Sequence, residues 1–354
     1  MNKSRLTGGL ILRPLILCII VLPFITTSLA LASDFDPKVP VAFRDRLYDV
    51  QFISETEAII IGYPGKIFRS ADGGETWERI TIDTTEPLFS LHFINAKTGW
   101  IAGRSGLIFI TGDGGKTWTK QDSGVSEHLF GIHFFNEKVG VAVGNFGVIV
   151  NTVDGGKTWS GQILQEMSSA TIYAVQMLDE NTGFLVGEYP IWEADLEEDV
   201  EASTLSSVFK TSDSGVTWER VEVPTESHLF DLEFVSALEG YAVGTKGLVL
   251  KTLDGGVTWE VFKAPTPFHL LSVEAHGDTV VAVGNAGTAV YKKGGEIKIP
   301  PTGAYSWIGS VSFNKKGRGI LVGDHGLIML SEDKGNTWTC LSPTCKGVDQ
   351  QKTK

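Results

Sequence analysis

The stretch GVAVGNFGVIVNTVDGGKTW, residues 140–159, decides the fold. Its first five residues are small or β-branched and read as a short strand, GVAVG (Gly140 to Gly144). The four residues GNFG form a turn, and GVIVNT (Gly147 to Thr152) is a second strand. The DGGK turn then leads into a third strand that opens at Thr158 and Trp159. Just upstream, LFGIHFF (Leu129 to Phe135) supplies a fourth, rich in aromatic and β-branched residues. The octapeptide TVDGGKTW that ends the stretch recurs along the chain as SADGGETW, TGDGGKTW, TSDSGVTW, TLDGGVTW and SEDKGNTW. The tryptophans, Trp77, Trp118, Trp159, Trp218, Trp259 and Trp338, stand 41, 41, 59, 41 and 79 residues apart. A period of this length with four short strands per unit is the signature of propeller blades. The gap of 59 is one period with an insertion. The gap of 79 hides a degenerate unit that keeps LLSVEA (Leu270 to Ala275), VVAVG (Val280 to Gly284) and TAVY (Thr288 to Tyr291) but replaces the Asp turn with KKGGEIKIPP. The expected fold is therefore all-β, a seven-bladed β-propeller of four-stranded antiparallel blades. No segment sustains a 3.6-residue apolar period, so helix should be nearly absent. Ring closure is the reason for the repetition, because a lone blade leaves two open edges and two uncovered faces.

The repeated [S/T]-x-D-x-G-x-T-W is an Asp box, and its acids are Asp72, Asp113, Asp154, Asp213, Asp254 and Asp333. The carboxylate can accept backbone N–H groups across the hairpin, as in an Asx-turn, and glycine supplies positive φ. Recurrence in every intact unit is what a fold element does, so these acids are expected to be structural. Asp boxes occur in sialidases and xyloglucan hydrolases as well. The fuller pattern LFxIxFxNxxxGxAVGxxGxIxxTxDGGKTW, repeated after an export signal, resembles the photosystem II assembly and stability factor family. That resemblance spans about residues 40–341. It implies a non-catalytic lumenal or periplasmic scaffold that binds a protein partner during assembly of a membrane complex. Two departures point to a bacterial relative serving another envelope or membrane complex. The mature arginines are scattered (Arg44, Arg46, Arg69, Arg79, Arg104, Arg220 and Arg318), and Cys18 follows Leu17 where a lipid-anchor signal has a small residue.

The N-terminus reads as a secretory signal over residues 1–32. Lys3, Arg5 and Arg13 precede the apolar run Leu15 to Phe24, and Ala30-Leu31-Ala32 makes an A-x-A cleavage site. The expected location is periplasmic or secreted, with the propeller over 33–345 and a polar tail over 346–354. The net charge of -12 disfavours nucleic acid, whose binding rests on a basic footprint. Cys340 and Cys345, five positions apart in an oxidising compartment, are expected to form a disulfide that pins the C-terminal end.

Two features are candidates for function. The loop between strands two and three of blade four expands over residues 188–207 and concentrates Glu188, Glu193, Asp195, Glu197, Glu198 and Asp199 with the apolar Tyr189, Ile191 and Trp192. Aromatic anchors beside a charged rim suit a protein interface. Arg46, His128, His228 and His269 stand at equivalent positions at the start of strand one and should ring the channel mouth on the same face. The histidines fall on separate blades, so no metal site and no cofactor is expected. A sialidase needs an arginine cluster, and a retaining glycosidase two carboxylates about 5 Å apart; the sequence carries neither signature, so no catalytic residue is assigned. Glycan binding or a sialidase-like hydrolase is the alternative. A monomer docking peripherally on a membrane through its partner is the expected state.

Overall fold

A computed structural model describes residues 38–188 and 207–342. Seven four-stranded antiparallel sheets follow one another over residues 46–80, 88–122, 129–163, 172–220, 229–263, 270–298 and 308–340, numbered here as blades 1 to 7. In each sheet the strands pair in chain order, and helix among the described residues is confined to three-residue 3-10 turns. Blade 6 is complete despite its lost Asp box, as its Glu296–Lys298 strand pairs with Ala289–Lys293. The second strands are buried along their length, as in Gly140–Gly144, apart from the exposed Tyr63 that ends the one in blade 1, because neighbouring blades cover them on both faces. Apolar clusters accordingly lie between blades. One joins Ile59, Ile61 and Ile67 of blade 1 to Leu88, Leu91 and Ile101 of blade 2.

Each Asp box is an outer-hairpin turn docked on the blade before it. In blade 3 the Asp154 Oδ1 accepts the Thr158 N–H at 2.9 Å and the Thr152 hydroxyl at 2.9 Å. Its Oδ2 accepts the Thr158 hydroxyl at 2.7 Å. The same three bonds recur at Asp72, Asp113, Asp213, Asp254 and Asp333. The box tryptophans are mostly buried between blades. Trp77, Trp118 and Trp218 donate their indole N–H to the second turn residue's carbonyl, whereas Trp159, Trp259 and Trp338 have no such acceptor among the described residues. The second glycine of the box sits against the preceding blade: a Cβ on Gly256, at φ +78, would lie 2.4 Å from the Phe184 ring.

The ring closes between blades 7 and 1 without exchanging a strand. Elsewhere a turn glycine donates its N–H to the linker entering the next blade, as Gly106 does to Glu127 and Gly247 to Phe268. At the closure Gly326 donates to Asp45 at 2.7 Å, so the segment before Arg46 takes the linker's place. Val39 and Val41 pack there with Ile320, Val322, Ile328 and Leu330 of blade 7. The buried Asp45 carboxylate pairs with the buried Lys66 ammonium at 3.1 Å.

The signal segment 1–32, the insertion from 189 to 206 and the tail 346–354 lie outside the described residues, and so do Tyr189, Ile191, Trp192, Glu193, Asp195, Glu197, Glu198 and Asp199. Cys340 is disulfide-bonded; Cys345 falls outside the described residues.

Candidate functional site

The first strands of all seven blades surround a central channel of about 400 Å³. One edge of each of these strands pairs within its blade, and the other faces the axis with backbone groups that need partners. One side chain near the middle of each first strand supplies them, always to the next blade. Gln51 accepts the Phe93 N–H at 2.7 Å and donates to its carbonyl at 3.2 Å. His92 Nε2 donates to the Phe134 carbonyl at 3.0 Å, and His133 Nδ1 accepts the Met177 N–H at 3.2 Å. Gln176 repeats the double bond of Gln51 on Phe234. Glu233 Oε2 accepts the Ala275 N–H at 2.6 Å, Glu274 Oε1 the Phe313 N–H at 3.3 Å, and Ser312 Oγ the Phe52 N–H at 3.1 Å. The cycle is complete, and every blade is stitched to the next from inside.

A second tier lies two residues nearer the mouth. Asp49 accepts the Leu91 N–H, the Val50 N–H and the Ser310 hydroxyl, and so spans blades 7, 1 and 2. Asp231 bonds the N–H groups of Leu232 and Val273. With Ser90, Gly131, Ala174, Ser272 and Ser310 they make up one equivalent position per blade beside the crowded axis. Crowding holds at Gly131, where a Cβ would lie 2.9 Å from the Tyr173 carbonyl oxygen. At Asp49, Ser90, Asp231 and Ser310 the side chain is instead a hydrogen-bonding bridge to a neighbouring blade.

Above both tiers is an aromatic collar. In every blade the pairing of strands one and two slips by one residue at the same place, leaving Tyr48, Phe89, Phe130, Tyr173, Phe230, Leu271 and Gly309 as the bulged residues. The bulge turns them toward the channel mouth, and five neighbouring rings run edge to edge with centroids 4.8 to 6.0 Å apart. The place beside Gly309 is taken by Trp307, whose ring stacks on Tyr48 at 5.6 Å.

The sequence-derived ring belongs to this mouth face, outside the collar. His128 Nδ1 accepts the Ser105 N–H at 3.2 Å, and His269 Nδ1 the Lys246 N–H at 3.1 Å. Both donors have positive φ at the centre of the preceding blade's turn, so these imidazoles act as caps. His228 has the corresponding place at the start of blade 5. Arg46 is exposed, 3.7 Å from Asp324. Glu188, the root of the insertion, accepts the Tyr173 hydroxyl at 3.3 Å and so touches the collar. Burial and this carboxylate push the Tyr173 phenol up to about 12. Among the described residues no cluster of three or more His, Cys, Asp or Glu side chains suits a metal ion.

Enclosure by protein governs the charges inside. Burial raises Asp49 to about 6, Asp231 to about 7 and Glu274 to about 8, and Glu233, beside Glu274, well above the usual range. Burial lowers His92 to about 4 and holds His133 well below the usual imidazole range, with His92 adding to the second effect. His133 must be neutral in this geometry in any case, since its Nδ1 accepts a hydrogen bond.

The sequence matches the model of the family described as photosynthesis system II assembly factor YCF48 over residues 30–126 and 210–296, just over half of the chain. The chain belongs to that family. Among solved structures it is similar to YCF48 bound to a D1 peptide, at 20% identity over 84% of this chain and 95% of that one, with a TM-score of 0.62. It is also similar to YCF48 from Cyanidioschyzon merolae, at 16% identity over 82% and 97%, with a TM-score of 0.65. A xyloglucanase from Xanthomonas campestris matches at 12% identity over 85% of this chain and 55% of its own, with a TM-score of 0.66. At these identities the likeness is one of fold. No curated protein sequence matches significantly.

Proposed function

We propose that this YCF48-family chain is a non-catalytic, exported scaffold that binds a protein segment on the face carrying the aromatic collar, and serves as an assembly or accessory factor for a membrane or envelope complex. The observation that carries the reading is the collar itself. Tyr48, Phe89, Phe130, Tyr173, Phe230 and Trp307 are only half-buried, which gives a continuous apolar surface rimmed by Arg46, Glu188 and the histidines. Aromatic residues within a polar rim are how protein interfaces are built. A relative whose structure holds a peptide supports the same reading. Glu188, the last described residue before the acidic insertion, touches the collar, and the charge and aromatic content of the insertion, Tyr189 and Trp192 included, suit a further contact with the same partner. The channel carboxyl groups are poor glycosidase candidates, because they are engaged with strand backbone inside a narrow channel. The N-terminal signal supports export to the periplasm.

The test is a crosslinking pull-down from solubilised host membranes, read by mass spectrometry. The native mature chain should capture one complex. A Phe89→Ser, Phe130→Ser double variant with unchanged melting should lose it, and trimming Ile191–Ala202 to a short turn should weaken it. Equal capture by all three versions overturns the reading, as does hydrolysis of xyloglucan or a sialoside by the native chain.

A further inference from the structure

Among the described residues, the channel below the collar holds four carboxyl groups and no lysine or arginine. Asp49, Asp231, Glu233 and Glu274 face it from blades 1, 5 and 6. Across the ring from the acids of blades 5 and 6 stand His92 and His133 of blades 2 and 3, their ring centroids 4.0 Å apart and a ring nitrogen of each engaged with backbone. Among the described residues, the remaining titratable groups lining the cavity are the phenols Tyr48 and Tyr173. Acids enclosed without a counter-charge normally cost stability, and proteins pair them or leave them out. Here only one oxygen of Glu233 and one of Glu274 accept a backbone N–H, and their second oxygens have no protein partner among the described residues. Backbone capping alone does not require the charge, since Gln51 and Gln176 do the same job two-handed at equivalent positions.

We infer that the channel receives one primary alkylammonium group, the side chain of a lysine presented by the protein segment bound at the collar. Three features fit that chemistry. The carboxyl groups are too dispersed for a metal ion, but an ammonium has three donors to share among them. The collar is a ring of π-faces, which attract an alkylammonium cation at its entrance. Collar and glutamate tier are three strand residues apart, about 10 Å, so a flexible four-carbon stem can lie along the aromatic wall with its charge below. The inference rests on the protein-binding reading above and names the chemistry of the residue at its centre.

The mature native chain is titrated at pH 8 with Nα-acetyl-lysine methylamide, its Nε-acetylated counterpart and 1,5-diaminopentane, followed by calorimetry and intrinsic tryptophan fluorescence. The two free amines should bind at least about 10-fold more tightly than the acetylated probe. Binding should release protons, since an ammonium favours the ionised carboxyl groups, and should weaken as pH falls to 6. The Glu233→Gln, Glu274→Gln double variant, which copies the glutamines already in the ring, should stay folded and lose that preference. Equal binding of charged and acetylated probes, or no saturable binding of either amine at millimolar concentration, overturns the inference. Pull-down with the same double variant separates the two readings. Undiminished capture, with the collar variant still defective, leaves the scaffold standing and removes the lysine.

Discussion

At the rim, six Asp boxes perform one task with one set of residues; around the channel, seven side chains perform one task with four residue types. Every box holds its hairpin by the same three bonds to a Ser or Thr, an Asp and a Thr. Every inner strand has its free edge capped from the blade before it, by Gln, His, Glu or Ser. Uniform residues at the rim fit a purely local geometric need, since the turn is the same turn in six places. At the axis all seven caps face one cavity, so the choice among acceptors sets what the cavity contains. The result is lopsided, with neutral imidazoles on one side and carboxyl groups on the other. Variation at a position of constant structural role is where a repeat protein can encode something its fold does not require.

The largest expected effect comes from breaking an inner cap. Gln176→Ala strips partners from both the N–H and the carbonyl of Phe234, in a setting enclosed by protein. It should cost about 2–3 kcal/mol in denaturant unfolding, the usual result of leaving two such groups unpaired. A loss no greater than that of a rim substitution would mean that channel water replaces the cap, and the contrast between the two regions would weaken.

The next effect is a pH dependence specific to the channel. Carboxyl groups whose folded pKa is raised bind protons in the native state that the unfolded chain has released. Their stabilising effect is present below the unfolded value and is lost as pH rises through the folded one. For Asp231, at about 7, and Glu274, at about 8, stability should therefore fall between pH 6.5 and 8.5. His92, lowered to about 4, acts with the opposite sign, but only between about 4 and 6.5, so the upper window isolates the acids. Melting temperatures across that window should decline for the native chain and stay flatter for Glu233→Gln, Glu274→Gln. A native melting temperature that rises from pH 6.5 to 8.5 contradicts the assignment.

The rim was legible in the sequence because one octapeptide recurs with its Asp, Gly and Trp intact, and with it came the blade count and even the degenerate blade 6. The axis was not. Gln51, His92, His133, Gln176, Glu233, Glu274 and Ser312 share no side-chain class, so no motif search joins them. The signal that could have found them is their register: aligned by blade, each is a polar residue between two apolar ones, as in Val50-Gln51-Phe52 and Leu232-Glu233-Phe234. The collar was hidden for another reason. Its aromatics look like core residues of an alternating strand, and only the one-residue bulge turns them out toward the mouth. Of the histidines at the start of strand one, His128 and His269 are occupied as turn caps.

The smallest effect belongs to the rim. The Thr158 N–H and hydroxyl that Asp154 accepts are exposed, so water can take over when the carboxylate goes. Asp154→Ala should therefore lower the melting temperature less than Gln176→Ala does and leave partner capture unchanged. Its pH signature runs opposite to that of the channel. Hydrogen bonds from the Thr158 N–H and hydroxyl hold the Asp154 carboxyl down at about 2, so its contribution is present above the unfolded value near 4 and is lost as pH falls toward 2. The gap between native and Asp154→Ala melting should be constant from pH 8 to 5 and close between about 4 and 2. A gap that widens on acidification, or a variant that melts normally and no longer captures its partner, would move the Asp box from the structural side of the comparison to the functional one.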